Sequence, residues 1–141
     1  MFVLDSDHVS LLQRATSPEA QRLRFRFSGV KVEDRFVTII TFEEQLRGWL
    51  AQIARAKSPL QEIEPYRRLE ALLKYYSAIN LLGFDERAAE KFQELKKARI
   101  RIGTMDLKIA AIALAHNATL LSGNLRDFSR VPDLKVEDWS V

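Results

Sequence analysis

The first eight residues constrain this chain more than any other stretch. Phe2-Val3-Leu4 is apolar at successive positions and runs straight into Asp5-Ser6-Asp7-His8. A strand that is apolar on both faces must be covered on both, which is the situation of a strand in a parallel sheet between helices. Asp5 then stands where the strand leaves the sheet. In open α/β sheets that carboxyl edge is where ligands bind. Further carboxylates delivered to the same edge would make a metal site; without them Asp5 and Asp7 are turn and cap residues.

The remaining sequence supplies alternating elements. Ser6–Gln13 is expected to be a short helix, with Ser6 or Asp7 as N-cap and Val9, Leu11 and Leu12 facing inward. Ser17-Pro-Glu19 opens a second helix, which stops at Gly29. Phe36–Ile40 is β-branched and aromatic and reads as a strand. Glu43–Ala56 and Pro59–Ser77 read as an antiparallel helix pair, and Ile79–Leu82 as a third strand. Asp85 caps a helix over 86–97. Thr104 caps another, Met105–His116, which is apolar nearly all round and therefore central. Thr119–Leu121 is a fourth strand, 124–128 a single helical turn, and Lys135-Val136 a short edge strand. This order predicts one domain over residues 1–141: a three-layer α/β/α fold around a mainly parallel sheet of about five strands.

Composition narrows the chemistry. There is no cysteine, so disulfides and thiolate metal sites are excluded, and the only histidines are His8 and His116. A zinc site of ordinary type is not expected; a metal here would take oxygen ligands, which suits Mg²⁺ or Mn²⁺. No Gly-x-Gly occurs, which removes the usual phosphate-binding loops. No apolar run approaches the roughly 18 residues of a membrane span. The N-terminus lacks a basic-then-apolar leader pattern, so no membrane association and a cytoplasmic location are expected. The net charge of +3 permits a nucleic-acid partner without requiring one.

Polar residues gather where the strands should end: Asp5, Thr41-Phe-Glu-Glu44, Ser122-Gly-Asn124 with Asp127 one turn on, and the Thr104-Met-Asp106 helix start. Each has a bland explanation. Thr41 and Glu44 match a capping box. Asp106 suits the first turn of a helix, where the dipole favours an acid. Asn124 and Asp7 could each cap a helix, and the two histidines and Trp49 and Trp139 read as surface or packing residues. Together, Asp5, Glu44 and Asp106 are three carboxylates converging on one edge. Close together they repel, which raises at least one pKa; a divalent cation removes that cost and can polarise a phosphodiester and activate a water for in-line attack.

In this arrangement the sequence resembles the PIN-domain family, specifically the VapC-type toxins of toxin–antitoxin systems. Four segments carry the resemblance: Leu4-Asp5-Ser6-Asp7-His8; Thr41-Phe-Glu-Glu44-Gln-Leu-Arg-Gly48; Gly103-Thr-Met-Asp106-Leu-Lys-Ile-Ala110; and Leu121-Ser-Gly-Asn124-Leu-Arg-Asp127-Phe128, followed by Val136-Glu-Asp-Trp139. The spacing to Gly48 selects Glu44 over Glu43 as the family's acid.

The resemblance implies an Mg²⁺-dependent endoribonuclease, with Mn²⁺ able to substitute, that hydrolyses RNA with metal-activated water. Asp5, Glu44 and Asp106 would be the acidic centre, Asp5 and Asp106 as direct ligands. Ser6, Asp7, Thr41 and Ser122 would support them. Many relatives carry a fourth acid where this chain has Asn124; either Asn124 orients a ligand water through its amide, or Asp127 supplies the charge. Arg22, Arg24, Arg26, Arg47 and Arg55 become candidates for flanking an RNA groove, against solvated helix faces as the alternative. A cognate antitoxin and a homodimer are implied partners; the apolar face of the helix pair at 43–77 is the candidate dimer contact, with core packing as the alternative. Two other classes remain in view: a catalytically weak PIN module acting by RNA or protein binding, and a receiver-like phosphate-handling domain, for which a lysine late in the sheet edge is missing.

Overall fold

The computed structural model describes all residues, Met1–Val141. The elements run β1 (Phe2–Leu4), α1 (Ser6–Arg14), α2 (Pro18–Ser28), a 3₁₀ turn at Val32–Asp34, β2 (Arg35–Thr38), α3 (Ile39–Arg55), α4 (Pro59–Ala78), β3 (Asn80–Leu82), α5 (Glu86–Lys97), α6 (Thr104–Ala115), β4 (Thr119–Leu121), α7 (Leu125–Phe128) and β5 (Lys135–Glu137). The five strands form one sheet in the order β3-β2-β1-β4-β5, and every pairing is parallel.

β1 is central and covered on both faces, as its three apolar residues require. Val3 and Leu120 point to one side, into a core built on α6 with Ala88 and Leu95 of α5. Leu4 and Leu121 point to the other, onto Val9 of α1 and Leu23 and Phe27 of α2. This period-two alternation between two separate cores produces the three layers. Seven of the twelve residues of α6 are buried, in keeping with its apolar circumference.

The strand order also sets where a site can form. From β1 the chain steps to β2 and β3 on one side, then returns to place β4 and β5 on the other. The crevice at the carboxyl ends of β1 and β4 is therefore the point where the winding reverses. Because all strands run the same way, α6, which leads directly into β4, has its N-terminus at that same edge. No helix is long and apolar enough to cross a membrane.

Several local expectations are corrected. Asp5 itself, not Ser6 or Asp7, is the N-cap of α1, its side chain accepting the His8 N–H at 2.8 Å. β2 ends at Thr38, and Ile39 and Ile40 are helical. The Thr38 hydroxyl caps the Thr41 N–H at 3.2 Å, and Ile40 turns into the core, so a cap and burial override the β-propensity of the run. The capping box of Thr41 and Glu44 consequently does not form. α6 has Gly103 at its N-cap position, with Thr104 as the first helical residue and no side-chain cap. His8 is 1 % exposed rather than at the helix surface.

Candidate active site

Asp5 leaves β1 at the centre of the sheet edge and is buried. Its carboxylate caps α1 and accepts a short hydrogen bond from the Ser122 hydroxyl at the end of β4. Burial pushes its pKa up to about 7, against the lowering effect of those two bonds, and Asp7 and Asp106 add repulsion. Asp106, in the first turn of α6, is raised to about 6 by partial burial and by repulsion from Glu44, Asp7 and Asp127. The edge thus brings together the three acids expected there, with Asp7 and Asp127 beside them.

Glu44 is delivered by the second turn of α3. Released from any capping role, it accepts the Ser6 hydroxyl at 2.8 Å. The Thr41 hydroxyl lies 3.4 Å from the Ser6 oxygen and is itself buried. Ser6 and Thr41 therefore tie the head of α3 to the head of α1. Asn124 caps α7, accepting the Asp127 N–H at 3.4 Å, and its amide donates to the Asp127 carboxylate at 3.1 Å. The Ser122 hydroxyl accepts the Asn124 N–H at 2.9 Å while donating to Asp5. Asn124 thereby aims the acid one turn on, and that acid acts electrostatically on Asp106.

None of Asp5, Asp7, Glu44 and Asp106 has a Lys or Arg partner. No group of three His, Asp or Glu side chains is spaced to hold a metal ion by itself. The donor set is all oxygen, negatively charged and uncompensated, with serine hydroxyls parked on two of the carboxylates. That suits a hard cation that keeps several waters and takes only one or two carboxylates directly.

His8 was not expected at the site. Its imidazole is buried with Nδ1 3.7 Å from Asp5 and Nε2 3.6 Å from Asp138, and neither nitrogen has a hydrogen-bond partner. Burial lowers its pKa, which favours the neutral ring. The only sequence signal was its place three residues after Asp5, on the turn that Asp5 caps.

The arginines divide. Arg24 donates to the carbonyls of Leu11, Leu12 and Ala15 and seals the end of α1. Arg22 donates to the Ser140 carbonyl at 2.8 Å, and Arg26 lies over Trp139 at 4.8 Å. These three guanidiniums are engaged in holding the fold. Arg47 pairs with Glu43 at 2.6 Å on an exposed helix face. Arg55 lines a groove of about 750 Å³ that starts at Ser6, Asp7 and Glu44 and runs between α1, α3 and α4.

Comparison with known proteins agrees with this geometry. The PIN domain family model matches residues 2–134. A ribonuclease VapC1 of Haemophilus influenzae (strain R2866) is 31% identical over 82% of each chain. A tRNA(fMet)-specific endonuclease VapC of Salmonella typhimurium is 26% identical over 98% of this chain and 97% of its own. The solved structure of VapBC-1 from nontypeable Haemophilus influenzae superposes with a TM-score of 0.73 at 26% identity, covering 99% of this chain and 98% of that one. With its sheet order, its acidic edge and these relatives in agreement, the chain belongs to the PIN-domain family and, within it, to the VapC ribonucleases.

Proposed function

We propose that residues 1–141 form one nuclease domain that hydrolyses RNA phosphodiester bonds with Mg²⁺, as the toxin of a toxin–antitoxin pair. The observation that carries this reading is the uncompensated acidic edge: four carboxylates at the sheet's switch point, two with raised pKa values, and no basic partner. Asp5 and Asp106 would hold the metal directly and Glu44 through or beside a water. When bound, Mg²⁺ supplies the charge that polarises the phosphate and activates a water for in-line attack.

The chain's own groups do the rest. Ser122 and the His8 N–H fix Asp5, Ser6 fixes Glu44, and Asn124 fixes Asp127, so these three carboxylates are held in place before substrate arrives. The proton released by the attacking water goes to one of these carboxylates. Mn²⁺ has a similar preference for oxygen ligands and would substitute.

The same charge deficit explains a protein inhibitor: an antitoxin segment placing Arg or Lys among the carboxylates would satisfy them without metal. Leu60 and Leu73 of α4 are 80% and 69% exposed, with Ile63 and Tyr66 beside them in sequence, and this helix is the proposed contact with a second copy of the chain. A chain that acts on RNA would work in the cytoplasm.

The test is cleavage of single-stranded RNA by the purified chain. Cleavage that requires Mg²⁺ or Mn²⁺, stops with EDTA and returns on adding excess metal supports the reading. RNA binding with no cleavage at millimolar metal would replace it with a binding module.

A further inference from the structure

The groove that leaves the acidic edge carries the chain's one partly exposed tryptophan among arginines. Glu44, Gly48, Ala51, Gln52 and Arg55 line it from α3, at helical spacing. From Glu44 to Arg55 this stripe rises about 16 Å. Gly48 and Ala51 keep it low in the middle, and a Cβ at Gly48 would meet nothing within 4 Å. The wall is fixed by hydrogen bonds between helices: Tyr76 of α4 donates to Gln45 at 2.8 Å, and Gln45 donates to Gln13 of α1 at 3.0 Å.

Trp49 stands on this wall. The Arg14 guanidinium lies 5.3 Å from its ring centroid and that of Arg68 5.9 Å. Arg68 is anchored by Glu64 at 2.9 Å, whereas Arg14 and Arg55 make no ion pair. The groove therefore starts at Asp7 and Glu44 of the acidic edge and carries Arg14 and Arg68 around the Trp49 ring, with Arg55 also on its wall. A single nucleic-acid strand matches both parts. Its reacting phosphate needs a metal at the acids, and its neighbouring phosphates and bases need cations and a ring.

We propose that Trp49 is a base-stacking platform for single-stranded RNA, with Arg14 and Arg55 contacting the flanking phosphates. This subsite positions the strand against the carboxylates. It rests on the ribonuclease function proposed for the acidic edge and names how that site takes its substrate. Arg14 covers the Trp49 ring in the free protein and exchanges it for phosphate when a base arrives, while Arg68 stays with Glu64. The stacked base is not read by hydrogen bonds, so the platform favours unpaired RNA over any particular base.

The test uses residues 1–141 as Asp106→Asn, with EDTA present to hold cleavage off, and a labelled unpaired RNA oligonucleotide read by fluorescence anisotropy. Adding Trp49→Ala is expected to weaken binding by about 5- to 100-fold. Trp49→Phe is expected to restore most of it. An abasic oligonucleotide of the same length is expected to bind equally with or without Trp49. Arg14→Ala is expected to weaken both oligonucleotides and to reduce the salt dependence by about one phosphate contact.

Unchanged affinity in Trp49→Ala, or an equal loss for the abasic strand, overturns the proposal. So does a complete absence of RNA binding. Unchanged RNA affinity with weakened binding of an acidic Glu–Tyr copolymer would assign the groove to a protein chain instead. Cleavage is measured separately with Asp106 intact. Trp49-dependent base binding without cleavage keeps the platform and removes the nuclease reading. Cleavage whose KM ignores Trp49→Ala does the reverse.

Discussion

Replacing Asp106 with Asn is expected to lower metal-dependent RNA cleavage by about 10²–10³-fold while leaving the fold in place. Asp106 sits in the first turn of α6, half-buried, with no hydrogen bond to another side chain, so no side-chain partner is lost with its charge. Asn is close in size. The helix loses a favourable acid near its N-terminus, a cost of about 0.3–1 kcal/mol, but the burial and the repulsion from Glu44 that raise this carboxyl's pKa are relieved at the same time. What remains, on the proposed function, is the loss of one anionic metal ligand. Initial rates with saturating Mg²⁺, beside circular dichroism and a melting curve, separate the two effects. A rate within a few-fold of the unaltered chain would remove Asp106 from the site.

In the absence of divalent metal, the protein is expected to become less stable as pH rises from about 4 to 8. Asp5 has an ordinary pKa of 3.8 and a folded value of about 7, and Asp106 one of about 6. Between the ordinary and the folded values the native chain holds more protons than the unfolded one, so unfolding free energy falls with pH. Above pH 7 the cost is complete, and for Asp5, which is buried, it is on the order of a few kcal/mol. Asp5→Asn removes that cost while Asn still serves as an N-cap. In EDTA at pH 8 this variant is expected to melt about 5–10 °C higher than the unaltered chain, and at pH 4 at nearly the same temperature. Differential scanning fluorimetry across that range checks it. An equal melting temperature at pH 8 would show that Asp5 is not strained by burial. The group the chemistry needs is thus one that costs the metal-free protein stability.

Which parts of this were legible in the sequence follows from the range of the interactions. β1 and the position of Asp5 were legible because three consecutive apolar residues leave few alternatives. The burial of α6 was legible for the same reason. The helical start at Ile39 was not, because a β-branched run before a threonine looks like strand until Ile40 has a core to enter. Glu44 was legible as one of the acids, but its hydrogen-bond partner was not: the capping-box pattern offers a local one, and only folding brings Ser6, 38 residues away, to its carboxylate. The burial of His8 depends on Asp138, at the far end of the chain, closing over α1. Arg22, Arg24 and Arg26 looked like a basic stripe, and their carbonyl partners are set by tertiary contacts that no local pattern encodes. Trp49 read as packing because its spacing on α3 does not reveal that Gly48 and Ala51 leave a groove beside it.

The central claim is that Asp5 and Asp106 take a divalent cation directly at the sheet's switch point, with Glu44 through or beside a water. Isothermal titration of Mn²⁺ into the purified chain at pH 7.5, and into the Asp5→Asn/Asp106→Asn double variant, tests it without any substrate. Saturable binding in the unaltered chain that is lost in the folded double variant is the predicted result. Equal binding in both, or none in the unaltered chain at millimolar metal, would contradict it.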